Sequence, residues 1–260
     1  MPPPPRRFER YVAIGDSSTE GLDDPDASGG YRGWADRLAE RVALAQGGLL
    51  YANLGVRGRR TRQVRDQQLE RALAMRPDLA TVFTGTNDAT SRRFDLGEVA
   101  ADMEEMQRRL VDGGATVLTF TLPDLAPVMP AARWIAPRVH ALNDALRSAA
   151  QRTGAVLVDF ARYPVATDSR LWSEDRLHAN AMGHTRIAAA LAQALGLPGA
   201  DDGWAQPLPP APHAGLLRRS AAEISWARRY LLPWVWRHLH GRSSGDDREP
   251  KRPELREVQP

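Results

Sequence analysis

Short apolar runs of strand length alternate with apolar stripes of helical period from Tyr11 to about residue 196. That alternation predicts an α/β domain built on a parallel sheet with helices on both faces. Three observations carry the prediction: the runs are four to six residues long, the stripes between them repeat at three- and four-residue spacing, and Gly or Pro punctuates the joints. Tyr11–Ile14 is the first run, closed by Gly15, and reads as a buried strand. Trp34, Leu38 and Val42 then mark a helix over about 33–45. Leu49–Leu54 is the second strand. Val64, Leu69, Ala72 and Leu73 describe a helix that ends before Pro77. Leu79–Thr84 is the third strand, and Val99, Met103, Met106 and Leu110 a helix stopped by Gly113-Gly114. Thr116–Thr121 is the fourth strand. Ile135, Val139, Leu142 and Leu146 form a helix running towards Gly154, Ala155–Phe160 is the fifth strand, and Ile187, Leu191 and Leu195 mark the last helix before Gly196. In sheets of this kind ligands gather outside the carboxyl ends of the strands. Chemistry is therefore expected just after Ile14, Leu54, Thr84 and Phe160.

The domain is expected over 11–197. A Pro-rich arm precedes it over 1–10, and a linker rich in Pro, Asp and Gly follows over 198–213. Residues 214–240 read as a basic amphipathic helical extension, with Leu217, Ile224, Leu231 and Val235 near one face, five arginines against Glu223, and a kink at Pro233. Residues 241–260 are charged, Pro-rich and poor in apolar side chains, the composition of a disordered tail.

The whole sequence of 260 residues is 42% hydrophobic, enough for a full core without covalent staples. It has no cysteine, which excludes disulfides, thiolate catalysis and thiolate zinc sites. No apolar segment precedes the first strand and no run of eighteen apolar residues occurs, so neither a secretory signal nor a membrane-spanning helix is expected; a cytoplasmic location follows as an expectation. The pI near 9.6 accompanies a net charge of only +3, and no nucleic-acid-binding motif is present, so nucleic acid is not an expected partner.

Four short blocks fall at the strand ends. Gly15-Asp16-Ser17-Ser18-Thr19-Glu20-Gly21 presents a serine just past the first strand, though such a block also reads as a turn with an N-capping serine. Asn53-Leu54-Gly55-Val56-Arg57-Gly58 offers a backbone N–H at Gly55, or simply a glycine that the turn needs. Gly85-Thr86-Asn87-Asp88 offers an amide donor, or a turn. Asp175-Arg176-Leu177-His178 places a carboxylate three residues before an imidazole that it could orient, or a surface histidine at a helix start. The sharp strand-to-helix elbow G-x-S-x-G is absent, so the α/β-hydrolase form of serine catalysis does not apply.

Together and in this order, the blocks resemble the SGNH (GDSL-type) hydrolases: GDSxxxG, a glycine in the second block, GxND in the third and DxxH in the last. The resemblance covers about residues 1–196, and its one departure is Ser18 where the family name places Leu. It implies a flavodoxin-like three-layer α/β/α sandwich and hydrolysis of a carboxylic ester through an acyl-enzyme. Ser17 would be the nucleophile, His178 the base and then the acid, and Asp175 the group orienting His178. The Ser17 N–H, the Gly55 N–H and the Asn87 side chain would form the oxyanion hole. No metal or organic cofactor is implied, and the expected partner is a small-molecule ester.

Other polar residues have plainer expectations. Asp16 and Asp88 read as turn acceptors, His184 and His140 as packing or capping residues, Trp34 as core, and Asp23-Asp24-Pro25-Asp26 as a solvated acidic loop that would disfavour anionic substrates if it rimmed the site. The extension over 214–240 would pack its apolar face on the domain or on another subunit, or else make peripheral contact with an anionic membrane surface. Two further functions stand beside the esterase: a catalytically degenerate binding protein of the same fold, and a membrane-associated adaptor. Oligomeric state, acyl length and the alcohol portion of the substrate are not encoded legibly.

Overall fold

Six strands form one sheet in the order β5-β4-β3-β1-β2-β6. The structure, a computed structural model, describes residues 7–210, 225–231, 233 and 245–260. The strands are β1 (Arg10–Gly15), β2 (Leu49–Asn53), β3 (Leu79–Phe83), β4 (Thr116–Phe120), β5 (Val156–Val158) and β6 (Arg252–Val258). The first five pair in parallel, and β6 runs antiparallel along the outer edge of β2. β1 and β3 lie inside the sheet and are buried on both faces, which is why they read as continuous apolar runs rather than as alternating ones.

The helices are α1 (Ser17–Glu20), α2 (Gly33–Gln46), α3 (Thr61–Val64), α4 (Glu70–Ala74), α5 (Thr86–Ala89), α6 (Leu96–Asp112), α7 (Ala136–Thr153) and α8 (Ala181–Ala194). Two cores flank the sheet. Trp34, Leu38 and Val42 of α2 and Leu191 of α8 fill one; Met103, Met106 and Leu110 of α6 and Leu142 and Leu146 of α7 fill the other. The three-layer sandwich is therefore present, with the stripes read from periodicity facing inward.

One predicted helix is built differently. Between α3 and α4 the chain makes a π-turn over Arg65–Leu69. Val64 and Leu69 are both buried although five residues apart, and the i→i+5 period of a π-turn brings them to one face. The same turn aims Gln68 at the end of β1, where its amide accepts from Gly15 N–H at 2.8 Å and donates to Gly15 C=O at 2.9 Å.

The ends depart from expectation. The arm is shorter than residues 1–10: Phe8 is buried, Arg10 already belongs to β1, and residues 1–6 lie outside those described. The linker carries a core residue, because Trp204 packs edge-on against Phe160 at 5.5 Å. The tail read as disordered instead supplies β6. Its side chains are mostly polar because an edge strand is held by backbone pairing rather than by burial, and Pro253 is tolerated there because an edge strand has one unpaired side. Lys251 secures it, donating to Asp36 at 2.9 Å and to the carbonyls of Tyr31 and Arg32 at 2.7 Å. The extension over 214–240 falls largely outside the described residues. Among the described residues, no helix is long and apolar enough to cross a membrane.

A chain truncated after residue 249 should accordingly melt roughly 5 °C or more below the full chain and associate with rising concentration, because the β2 edge is then bare. Thermal melts and sedimentation at several concentrations would check this; coincident melts would contradict it.

Candidate active site

The first and last sequence blocks meet at the carboxyl end of β1. Ser17 opens α1, and the Asp16 side chain caps that helix by accepting from Ser18 N–H at 3.1 Å. His178 Nε2 lies 2.8 Å from Ser17 Oγ, and His178 Nδ1 lies 2.6 Å from Asp175 Oδ2. In the neutral tautomer that donates from Nδ1 to Asp175, Nε2 is free to accept the serine proton.

The His178 loop is tightly built. Asp175 Oδ1 accepts from Leu177 N–H and His178 N–H at 2.8 and 3.0 Å, so one carboxylate both closes the turn and holds the ring. Arg176 takes φ +62°, a backbone state that costs a non-glycine residue energy and is held here by those bonds. Asn180 caps α8 by accepting from Met182 and Gly183 N–H, and donates to the carbonyls of Arg170 and Trp172.

The electrostatics follow from this packing. Burial alone would depress the His178 pKa, but the Asp175 hydrogen bond and the charges of Asp175, Asp23 and Asp16 outweigh it and hold the pKa above its ordinary 6.5. Burial would raise the Asp175 carboxyl, yet His178 and the surrounding donors hold it well below the usual carboxylate range. Asp16 is fully buried and burial pushes it up to about 7, against the Ser18 N–H bond that favours its charged form. His184 is buried and depressed to about 4. Its ring accepts from Trp34 N–H and lies 3.1 Å from the Leu22 carbonyl, a packing role that ties α8 to the segment after α1.

The second block requires a correction. Gly55 N–H donates to Asn53 Oδ1 at 2.9 Å and so is engaged by its own turn. Its lack of a side chain has a steric reason: a Cβ there would stand 2.8 Å from Glu20 N and 2.9 Å from Thr19 Cβ, where α1 packs on it. Gly58, three residues on, has φ +74°, lines the cavity beside Ser17, and its N–H has no acceptor among the described residues. It was legible only as the second glycine of the same block, since nothing in the sequence says which N–H faces outward. Asn87 lies on α5, and its amide donates to Arg59 C=O at 2.9 Å and, more weakly, to Asp16 Oδ2 at 3.4 Å. Asp88 accepts from Thr61 N–H and Oγ–H at 2.9 Å, the structural role expected of it.

A buried ion pair joins the first two blocks. Glu20 accepts from Arg57 N–H at 2.8 Å and from Arg57 Nε at 3.0 Å. Removing one partner of such a pair strands a buried charge. Glu20→Ala should lower stability by about 3–5 kcal/mol in denaturant titration; a loss under about 1 kcal/mol, the worth of an exposed pair, would contradict its burial. The acidic loop also departs from expectation: Asp24 is buried, accepts from Gly33 N–H at 3.0 Å and takes both Arg37 donors at 2.9 Å, because the chain folds back beneath α2.

Ser17, His178, Gly58 and Asn87 line one cavity of about 1240 Å³. Phe83, Phe120, Phe160 and Trp204 form an aromatic run along it, each ring in contact with the next. Arg60, Arg92 and Arg93 are among its charged lining residues.

Comparison with known proteins bears on the fold and the family. No curated protein sequence matches the chain. Among solved structures, the fold superposes on LAE5, an alpha/beta hydrolase from the metagenome of Lake Arreo, Spain, with TM-score 0.60 and 24% identity over 72% of this chain and 95% of that one. It is similar also to the lipase/acylhydrolase from Enterococcus faecalis (TM-score 0.59, 20% identity, 78% and 100% covered) and to a mutant of the acetylxylan esterase Axe2 from Geobacillus stearothermophilus (TM-score 0.58, 18% identity, 76% and 96% covered). At such identities these likenesses speak for the fold. The family model of the GDSL-like lipases and acylhydrolases matches residues 13–186, from the middle of β1 into α8, a span that includes every one of the four blocks. On that match, well over half its length, the chain belongs to the GDSL-like lipase/acylhydrolase family.

Proposed function

We propose that the protein hydrolyses carboxylic esters through an acyl-enzyme on Ser17. The observation that carries this reading is the unbroken contact from Ser17 Oγ through His178 to Asp175, 2.8 and then 2.6 Å, at the wall of a large cavity. A serine hydroxyl is a weak nucleophile until a base takes its proton. In this reading His178 Nε2 receives that proton as Oγ attacks the ester carbonyl, and Asp175 stabilises the imidazolium. The oxyanion is met by the Ser17 N–H, which has no intrahelical acceptor in the first turn of α1, and by the Gly58 N–H and the Asn87 amide. Asn87 would trade its long bond to Asp16 for the oxyanion. The imidazolium then protonates the leaving alcohol, and water, activated by the same ring, releases the acid. The aromatic run suits the acyl group.

The test is a panel of esters from acetyl to palmitoyl, together with acetylated sugars, and intact-mass analysis after a fluorophosphonate probe. Stoichiometric labelling lost in Ser17→Ala supports the reading. A protein that binds these compounds without turnover or labelling would instead be a degenerate binding relative.

A further inference from the structure

Asp23 belongs to none of the four blocks, yet it reaches the His178 loop from 150 residues away in sequence. Ser173 Oγ lies 2.6 Å from Asp23 Oδ2 and 2.6 Å from Asp175 Oδ1, so one hydroxyl bridges two carboxylates and donates to one of them at a time. Asp23 Oδ2 is also 3.9 Å from His178 Nδ1, on the side of the ring that faces Asp175. Asp23 takes φ +67°, in the left-handed region that aspartate enters more readily than most residues, and its side chain is 34% exposed.

From this geometry we infer that Asp23 is a positioning residue for the reaction: with Asp175, and joined to it through Ser173, it gives the imidazolium of His178 two carboxylates instead of one. The proton itself travels only from Ser17 Oγ to His178 Nε2; Nδ1 keeps its hydrogen, and Asp23 neither gains nor loses one. An opposite charge about 4 Å from a partly buried ring favours the ring's charged form, which is the form the attack creates. Among the described residues, the titratable groups that face the ring are Asp175 from its own loop, Asp23 from the segment after α1, Asp16 from the end of β1 and His184 from α8. His184, depressed to about 4, is neutral at working pH and adds no charge. The inference rests on His178 being the general base.

Two substitutions separate charge from architecture. Asp23→Asn keeps an acceptor for the Ser173 hydroxyl, and asparagine tolerates the left-handed backbone. Asp23→Gly deletes the side chain in a conformation that glycine adopts freely, so one of the pair should fold even if the other does not. The readouts are the pH profile of kcat/KM and an NMR titration of the His178 ring, assigned by its loss in His178→Ala. In both variants the acidic limb and the ring midpoint should move to lower pH by about one unit. Saturated kcat should fall about tenfold, with KM within about twofold. A limb and midpoint that stay where they are in the parent would overturn the inference, even if kcat falls, because a purely structural Asp23 would cost activity without moving them. If the parent hydrolyses no ester, the esterase reading fails, while the ring titration still decides whether Asp23 acts on His178.

Discussion

Ser17→Ala should abolish ester hydrolysis, lowering kcat by a factor on the order of 10⁵ to 10⁶ while the protein melts as the parent does. The size of the effect comes from what is removed. Without the hydroxyl no acyl-enzyme forms, and the base and oxyanion donors are left to act on water alone. A loss of this size corresponds to roughly 7–8 kcal/mol of barrier. The fold should be indifferent, because among the described residues the Ser17 side chain has one hydrogen-bond partner, His178 Nε2, and alanine fits the same helical turn. Steady-state assays on purified protein, with a fluorophosphonate control for parental contamination, would measure it. Retention of more than about a tenth of parental kcat would remove Ser17 from the chemistry.

His178→Ala should be as damaging, and the double variant with Ser17→Ala no worse than either alone, since the two act as one unit. Asp175→Asn should cost less, about 10⁴-fold, because the base is still present but no longer held in the right tautomer. The pH dependence has a definite sign. His178 must be neutral to accept the serine proton, so kcat/KM falls as pH drops through its pKa. That pKa is raised, hence the limb should lie above pH 6.5 rather than below it. The Asp175 carboxyl is held so low that it should contribute no inflection in the range where the protein is folded. A profile flat down to pH 5 would show that no histidine base is at work.

Much of the architecture is legible in the sequence, and for a physical reason. Buried parallel strands must be apolar along their length, and helices covering them must be apolar on one side, so β1 to β5 and the stripes of α2, α6, α7 and α8 leave a periodic trace. The serine, the asparagine and the Asp-x-x-His pair were legible because each sits within a few residues of a strand end or helix start, where local rules apply. Gly55 was misread for the complementary reason. Two glycines three residues apart look alike in sequence, and only the tertiary packing, with Thr19 and Glu20 against Gly55, decides that the Gly55 N–H is taken by Asn53 while Gly58 lies at the cavity wall.

The sequence by itself determined the order of the five parallel strands and of the helices that cover them, and it marked the short motifs whose serine, histidine and aspartate the fold brings into contact, because these depend on periodicity and on local spacing. Tertiary structure alone decided the rest. Arg252–Val258 carries the composition of a solvated tail, and becomes β6 because the unpaired N–H and C=O groups of β2 accept it; composition records no pairing partner. Gln68 reaches Gly15 only because a π-turn rotates it there. Asp23 approaches His178 through Ser173, which lies 150 positions away in sequence, a contact between two loops that no local pattern encodes. Propensity and period act over one or two turns of chain, whereas the field at an imidazole is set by whichever charges the finished fold brings within a few ångströms of it.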